Sequence, residues 1–333
     1  MNARPASFAP LYLAGSMLAV GASVGVDPAL PRYEPRPITP PQHASYQAPD
    51  GAIAIVGYND MREMLGALCE RFGALHPGFE FSLDLRGTRT GPPALASGVS
   101  ALAPMGAEFS ARELADYRAT TGGDPLVVRI AHASLDPKAL SGPLAIIVHP
   151  SNPLTAISLA DLAGRFGGRG VAGGLRTVGL GPETALGIFF RDRVLAGREF
   201  SPDFVGLPQS AAVVKLVGGD PRAIGFAAAV RATADVKILA LVPWAGGAPV
   251  ALTETNLVAG LYPLGRHLFL CARLPLEPWV GGFLRFVLSA EGQAIIGAGT
   301  LGYRALGVDE AAAGRARLPA FPLTEIKPRF SEP

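Results

Sequence analysis

The feature that most constrains the fold is the stretch from Ala52 to Met105, which alternates strands, turns and helices. The apolar strand 52–56 leads through the turn 57–61 into an amphipathic helix, and the strand 80–85 leads into the glycine-bounded loop 87–91. In such units the loops lie at the carboxyl ends of parallel strands. Unpaired backbone N–H groups and the positive end of a helix dipole attract anions there. The stretch therefore predicts a place for an anion.

Length and composition limit the class of protein. A chain of 333 residues is long enough for two domains with separate cores. Hydrophobic residues make up 49% and charged residues 17%, so the chain is globular rather than disordered. The formal net charge is only +2, and the sequence contains no run of lysine and arginine. This composition argues against a nucleic-acid partner.

The first fifty residues predict an export signal followed by an arm. Residues 1–22 combine Arg4, an apolar stretch and the small-residue site 20–22, which indicates a cleaved signal peptide. An uncleaved membrane anchor is the alternative, since about nineteen uncharged residues can span a bilayer. No cysteine follows the stretch, so a lipoprotein anchor is not supported. Residues 23–50 are rich in proline, and we expect an extended, poorly ordered surface arm.

From residue 51 onward, strand patterns alternate with helix patterns, which predicts an α/β protein with mostly parallel sheets. One helix signal is a capping box of Ser110 and Glu113. We divide the chain into a first lobe (51–140 and 245–320), a second lobe (141–244) and a C-terminal tail (321–333). Two crossing segments then join the lobes, and the first lobe contains both ends of the globular chain.

The sequence favours a protein without a cofactor, a metal or a catalytic group. Cys69 and Cys271 are too few for a metal cluster, and we expect two buried free thiols, with a disulfide as the alternative. The five histidines lack metal-ligand spacing, and we expect each at the surface or in a turn. They are His43, His76, His132, His149 and His267. No Gly-x-Ser-x-Gly elbow is present, and we predict that the chain is not an enzyme.

Several stretches in the right order resemble the substrate-binding proteins of phosphate ABC transporters. They include the stretch from Ala145 to Leu154, Asp220-Pro-Arg-Ala-Ile-Gly-Phe226, Tyr262-Pro-Leu-Gly-Arg266 and Phe286-Val-Leu-Ser-Ala-Glu-Gly-Gln293. The resemblance covers about residues 53–306. It implies a type II periplasmic-binding-protein-like fold, with two hinged α/β lobes around a ligand cleft.

The resemblance also implies candidate ligand residues, with clear departures from the family pattern. Asp60 stands at the position of a threonine, and Arg89 at that of a glycine. The family's aspartate falls at Ala101, and its clamping arginine of the second lobe falls at Gly187. Arg266 is expected to pin the crossover between the lobes rather than to bind ligand. The candidate ligand residues are Asn59, Asp60, Met61, Thr88, Arg89, Thr90, Gly91 and Thr184.

These departures leave three interpretations of the cleft. Asp60 and Arg89 could rebuild the lost acceptor and cation for phosphate, or they could bind a zwitterionic or neutral ligand. We favour a third, in which they form a salt bridge with each other across an empty cleft.

The leading function is an exported, monomeric protein of the periplasm or extracellular space. It binds phosphate or a related small anion and passes it to ABC permease subunits. The alternative is a degenerate binding fold used as a secreted or envelope interaction protein. A phosphate-ester hydrolase is disfavoured, because no base–nucleophile pair or metal set is visible.

Overall fold

The computed structural model describes residues 26–138, 142–168 and 174–320, so the predicted signal peptide and C-terminal tail lie outside the described residues. Within those ranges, every helix is too short or too polar to cross a membrane. The strands are β1 (Ile53–Gly57), β2 (Phe81–Leu85), β3 (Ala103–Met105), β4 (Leu126–His132), β5 (Leu144–Val148), β6 (Ala156–Ser158), β7 (Arg176–Leu180), β8 (Val205–Leu207), β9 (Ala223–Ala228), β10 (Lys237–Ile238), β11 (Ala240–Val242) and β12 (His267–Ala272). The helices are α1 (Arg62–Leu75), α2 (Gly91–Ser97), α3 (Ala111–Thr121), α4 (Leu159–Gly167), α5 (Ala185–Val194), α6 (Ser210–Gly218), α7 (Glu254–Val258), α8 (Pro278–Val287), α9 (Ala290–Ala298) and α10 (Val308–Ala316).

The first lobe is built on a sheet where the two ends of the globular chain meet. β1 and β2 pair in parallel, and β12 lies antiparallel between β3 and β4. Two bonds join β1 to the β3 region: the Ala101 N–H donates to the Ala54 carbonyl at 3.0 Å, and the Tyr58 N–H to the Pro104 carbonyl at 2.9 Å. From the first bond to the second, the residue numbers increase along both segments, so β1 and β3 run parallel. The loops after β1, β2 and β3 therefore lie at one edge of the sheet.

The second lobe has a mixed sheet in the order β10-β5-β9-β7-β8. β7 pairs in parallel with β8 and β9, whereas β5 pairs antiparallel with β9 and β10. Helix α5 follows β7 after a short turn, so the start of α5 lies at the carboxyl end of β7. The predicted α/β class is confirmed, and parallel and antiparallel pairs occur together in its sheets.

Each sheet has its own hydrophobic core, because each buries one face beneath amphipathic helices. In α1 the buried side chains recur every three or four residues and so form one stripe toward the first sheet. They are Met64, Leu65, Leu68, Cys69 and Phe72. In the second lobe, Phe190 of α5 stacks on Phe226 of β9 with ring centroids 4.0 Å apart. The two cores share no residue among those described.

The chain returns to the first lobe later than the sequence suggested. We predicted the return at residue 245, but Leu257, Tyr262 and Leu264 pack into the second core. The Tyr262 hydroxyl also donates to the Leu144 carbonyl of β5 at 3.0 Å. We therefore place the return at Gly265, immediately before β12. A surface loop and the five-residue α7 cover the second lobe before that point.

The proline-rich arm contacts the first lobe along its described length. It forms no helix or strand, as expected, but its apolar side chains do not stay at the surface. Leu30 and Tyr46 are buried, and the Tyr33 ring lies edge-on to Phe286 with centroids 5.3 Å apart. The expectation of a poorly ordered surface arm is therefore wrong for residues 26–50. Hydrophobic periodicity gave no signal because single aromatic residues anchor an otherwise irregular segment.

Cys69 and Cys271 are both free and buried, as predicted. Cys69 faces the first core from α1, and Cys271 lies in β12. Burial raises the pKa of both thiols well above the ordinary cysteine value, so both stay protonated. They behave as small apolar core residues.

Candidate functional site

The turn after β1 holds the first group of predicted ligand residues. Asn59, Asp60 and Met61 form a single 3-10 turn. The Tyr58 hydroxyl and the Asn59 side-chain amide both donate to the Asp60 carboxylate, the latter at 2.7 Å. Met61 is fully buried, and its N–H donates to the Tyr58 carbonyl. The turn therefore exposes Asn59 and part of Asp60, whereas the Met61 side chain belongs to the core.

The loop after β2 holds the second group and lies directly against the first turn. The Gly87 N–H donates to the Gly57 carbonyl at 2.8 Å, which brings the two loops together. Thr90 Oγ1 donates to the Gly87 carbonyl at 2.7 Å, and Thr88 Oγ1 accepts from the Gly106 N–H at 3.1 Å. Gly91 is buried at the start of α2. Both threonine hydroxyls thus already have partners within the first lobe.

The favoured salt bridge between Asp60 and Arg89 is wrong. The Arg89 guanidinium forms an ion pair with Glu113, whose carboxylate also accepts from the Ser110 N–H at 2.8 Å in the predicted capping box. The side chain therefore extends toward the start of α3 and away from the turn that holds Asp60. The partners of the Asp60 carboxylate are its chain neighbours, Tyr58 and Asn59.

Thr184 acts locally as the N-cap of α5. Its Oγ1 accepts from the Gly187 N–H at 3.0 Å and donates to the Gly181 carbonyl at 2.8 Å. Gly187, where the family pattern has its arginine, has no room for a side chain: a Cβ there would lie 2.0 Å from the Gly181 carbonyl oxygen. The turn before α5 therefore excludes a cation at this position. The structure does not bring Thr184 into the cavity described next.

A cavity of about 70 Å³ lies between the two lobes. The first lobe contributes residues 106–109 and Arg89, and one face of α5 contributes residues from Ile188 to Arg193. The start of β12 forms the remaining wall. Four arginines but only two acids line the cavity, namely Arg89, Arg129, Arg193 and Arg266 with Glu108 and Asp192. Arg89 and Arg129 are each paired with a glutamate, Glu113 and Glu310, so Arg193 and Arg266 are the arginines of this wall without an ion pair among the described residues. Their charge suits a small anion, for which this volume is sufficient.

Arg266 is the most buried of the four arginines that line this cavity and is only 8% exposed. Its Nη2 donates to the Gly106 carbonyl at 2.6 Å, and its guanidinium carbon lies 5.6 Å from the centre of the Phe189 ring. Its Nε is buried without a hydrogen-bond partner, and no carboxylate in the described parts of the chain forms an ion pair with it. Burial lowers the pKa of Arg266, against the opposing effects of Tyr58, Tyr303 and Asp60. A buried cation without an acid is costly unless an anion joins it.

The expectation that every histidine lies at the surface or in a turn is wrong for His76, which is buried at the end of α1, and for His132 and His267, which lie in strands. His132 is almost fully buried in β4, and its Nε2 lies 2.6 Å from Glu310 Oε2. His267 of β12 is its direct neighbour across the sheet, with ring centroids 4.8 Å apart. The sequence separates His132 from the other two residues by more than a hundred positions, so spacing could not reveal the cluster.

The architecture and the interlobe cavity can now be compared with known proteins. The sequence pattern of the PBP superfamily domain matches residues 42–291 of the 333. The chain belongs to the PBP superfamily. Phosphate-binding protein PstS of Pseudomonas aeruginosa is 28% identical over 309 residues, which covers 86% of this chain and 90% of that relative.

Solved structures show the same fold as this PBP superfamily chain. PstS from Borrelia burgdorferi aligns with a TM-score of 0.55 and 16% identity, covering 77% of this chain and 98% of that chain. An ABC-type phosphate transport receptor from Vibrio cholerae aligns with a TM-score of 0.52 and 18% identity, covering 76% and 99% respectively. The predicted family resemblance and the periplasmic-binding-protein-like fold are confirmed. These relatives are described as binding proteins and receptors, which also confirms the prediction that the chain is not an enzyme.

Within this PBP superfamily chain, the sequence did not identify Arg266 or Arg193 as candidate ligand groups. Arg266 was expected to pin the crossover, and it does contact Gly106 of the first lobe and Phe189 of the second. What the sequence could not show is that this arginine is buried without an acid. One signal was available: Arg266 ends the Tyr-Pro-Leu-Gly-Arg stretch, where the chain passes from one lobe to the other.

Proposed function

We propose that this protein is an exported solute-binding protein that holds phosphate or a related small oxyanion between its lobes. The observation that carries the proposal is the buried Arg266 guanidinium, which has no acid partner and borders the interlobe cavity. An oxyanion supplies the missing negative charge and can accept the Nε–H donor. Arginine suits this task because its planar fork matches the spacing of oxyanion oxygens.

The first-lobe loops form the proposed second face of the site. Asn59, Asp60, Thr88, Arg89, Thr90 and Gly91 lie on two turns in direct contact, beside the cavity that Arg89 lines. Met61 keeps a structural role in the first turn. Thr184 does not line the cavity in this conformation, and it is proposed to approach the anion only when the lobes rotate.

A second candidate function is an interaction protein that keeps the binding fold without the anion. The ion pair of Arg89 with Glu113 favours it, as do the internal hydrogen bonds of Thr88 and Thr90. These contacts occupy groups that a phosphate site would use. Arg266 argues the other way, because in an empty cleft no carboxylate of the described residues forms an ion pair with it, and the effect of burial exceeds the favourable charge of Asp60.

The names of the relatives support a transport role. One is a phosphate-binding protein, and one solved structure is an ABC-type phosphate transport receptor. We infer that this chain works in the same way, as a monomer outside the cytoplasmic membrane that delivers its anion to ABC permease subunits. The predicted signal peptide supports export.

The test is calorimetry with inorganic phosphate on protein dialysed free of bound anion. We expect a Kd tighter than about 100 µM for the natural chain. Arg266→Met should weaken binding about 100-fold, because a charged hydrogen bond contributes roughly 1.5–3 kcal/mol and a factor of ten corresponds to about 1.4 kcal/mol.

The matched control is Arg112→Met, which removes an arginine whose side chain is 92% exposed on α3. Circular dichroism establishes that each variant is folded. No heat at millimolar phosphate for the natural chain would reject the phosphate proposal and favour the interaction protein. Equal affinity in the natural chain and in Arg266→Met would show that Arg266 does not bind the phosphate.

A further inference from the structure

A second polar cluster lies in the first lobe, beside the proposed anion site, and shares the cavity wall formed by His267 with it. It combines His132 of β4, His267 of β12 and Glu310 in the first turn of α10. One ligand-type atom from each residue lies within 4.8 Å of the other two. Since the histidines face each other across the sheet and Glu310 comes from a covering helix, rigid elements hold all three groups.

The cluster contains a polar atom that the protein itself leaves unsatisfied. His267 Nε2 is buried and has no hydrogen-bond partner. A neutral imidazole can offer a nitrogen lone pair. An unpaired buried polar atom is destabilising, and such groups are rare in folded proteins.

The remaining two residues provide an anionic oxygen and a second nitrogen. Glu310 Oε2 lies 2.6 Å from His132 Nε2, whereas Arg129 Nη1 donates to the other oxygen, Oε1, at 3.1 Å. The bond from Arg129 orients the carboxylate, as outer groups commonly do around metal ligands.

We propose that His132, His267 and Glu310 bind a divalent transition metal of the zinc type. Two imidazole nitrogens and one carboxylate oxygen are a donor set that zinc accepts, with a fourth position left for water. Zinc bonds of about 2.0–2.1 Å place ligand atoms about 3.3 Å apart, so His132 and Glu310 must separate slightly when the metal enters.

Two cavities border the cluster. Glu310 lines a cavity of about 510 Å³ on the first lobe, and His267 lines the smaller interlobe cavity. The alternative, a purely structural network, explains the contacts of Glu310 with His132 and Arg129 but gives His267 Nε2 no role.

The test is a zinc titration of tag-free protein treated with chelator, in buffer without phosphate. We expect one zinc per chain with a Kd below about 10 µM, measured by competition with a chromophoric chelator. Cobalt(II) in the same protein should give the strong visible absorption of a four-coordinate site. Because no phosphate is present, failure here leaves the proposed anion function untouched.

His267→Leu and Glu310→Gln should each weaken zinc binding at least about 100-fold. The first variant places an apolar side chain at a position that is largely enclosed, and the second keeps the size of the natural side chain. His149→Leu is the matched control, since His149 lies in a turn and its ring contacts only Ser151 among the hydrogen bonds described. Tight zinc binding that survives both variants, or no binding by the natural chain at 100 µM zinc, would overturn the proposal.

Discussion

Glu113 performs two tasks that place it beside the proposed anion site. Its carboxylate caps α3 by accepting from Ser110, and it neutralises Arg89 at the edge of the interlobe cavity. The helix cap needs only an oxygen acceptor, whereas the ion pair needs the charge. The two roles can therefore be separated by a single substitution at this residue.

We predict that Glu113→Gln tightens phosphate binding by about three- to tenfold. The glutamine oxygen can still accept at the cap, but Arg89 loses its competing partner and becomes available to the anion. Calorimetry with phosphate measures the change. Asp116→Asn is the control, because Asp116 lies on the same helix and its side chain is 74% exposed. An unchanged Kd in Glu113→Gln would mean that Arg89 does not face the bound anion.

A second residue-scale prediction concerns His76, which is buried beneath the arm. Its Nε2 lies 2.8 Å from the Tyr33 hydroxyl, and burial lowers its pKa below the ordinary value of 6.5. The unfolded chain therefore binds this proton more readily than the folded chain. Stability from this residue is complete above pH 6.5 and is lost as the pH falls through 6.5 toward the lower folded value.

Urea unfolding at pH 7.5 and 5.5 tests this. We expect the natural chain to lose more free energy of unfolding between the two pH values than His76→Gln, by at most about 1.4 kcal/mol per pH unit. Other titrating groups cancel in this difference. Equal losses would show that His76 keeps its ordinary pKa in the fold.

At the scale of elements, α5 depends on a close approach that only glycine permits. A Cβ at Gly187 would lie 2.0 Å from the Gly181 carbonyl oxygen, whereas a Cβ at Gly66 of α1 would meet no atom within 4 Å. Both glycines lie inside helices, where alanine is intrinsically favoured by roughly 0.5–1 kcal/mol. The same substitution should therefore have opposite effects at the two positions.

We predict that Gly66→Ala stabilises the protein by about 0.5–1 kcal/mol and that Gly187→Ala destabilises it by about 2 kcal/mol or more. Denaturant unfolding followed by circular dichroism gives both values. Stabilisation by Gly187→Ala would show that the turn before α5 can move aside. In that case a side chain at this position, and hence an arginine, would also be tolerated.

The arm gives a further prediction at this scale. The Tyr46 hydroxyl donates to the Glu277 carboxylate at 2.7 Å and accepts from Trp279 Nε1 at 3.2 Å. Tyr46→Phe should cost about 1–2 kcal/mol of unfolding free energy, and Tyr46→Ala about 3–5 kcal/mol. Pro37→Ala, at an exposed position of the same arm, should have an effect below about 0.5 kcal/mol. If Tyr46→Ala matched the control, the arm would not contribute to the first core.

Across the whole molecule, the sequence predicted the features that depend on hydrophobic periodicity and on the order of motifs along the chain. The strand–turn–helix stretch gave both first-lobe loops, and the motif order gave the two-lobed class. Three features escaped because they depend on contacts between distant segments. They are the pairing of Arg89 with Glu113, the isolation of Arg266 and the packing of Tyr46 on Trp279. In each case the residue types can be read from the sequence, but the distances between the side chains are set by the fold.

An anion bound between the lobes should make the two lobes close on each other. It must contact both lobes to neutralise Arg266 fully. Closure can be measured by fluorescence energy transfer between labels on Glu70→Cys of α1 and Lys215→Cys of α6, both at exposed positions. The native thiols are buried and protonated, so they should not take up label.

We predict that saturating phosphate shortens the distance between the labels by several ångströms and that Arg266→Met abolishes the change at the same concentration. Chloride at equal ionic strength is the control for general screening. If phosphate binds with the expected affinity but the distance stays constant, the anion lies within one lobe. A ligand that binds the open and closed forms equally well cannot drive closure. Arg266 would then only connect the two lobes at the crossover.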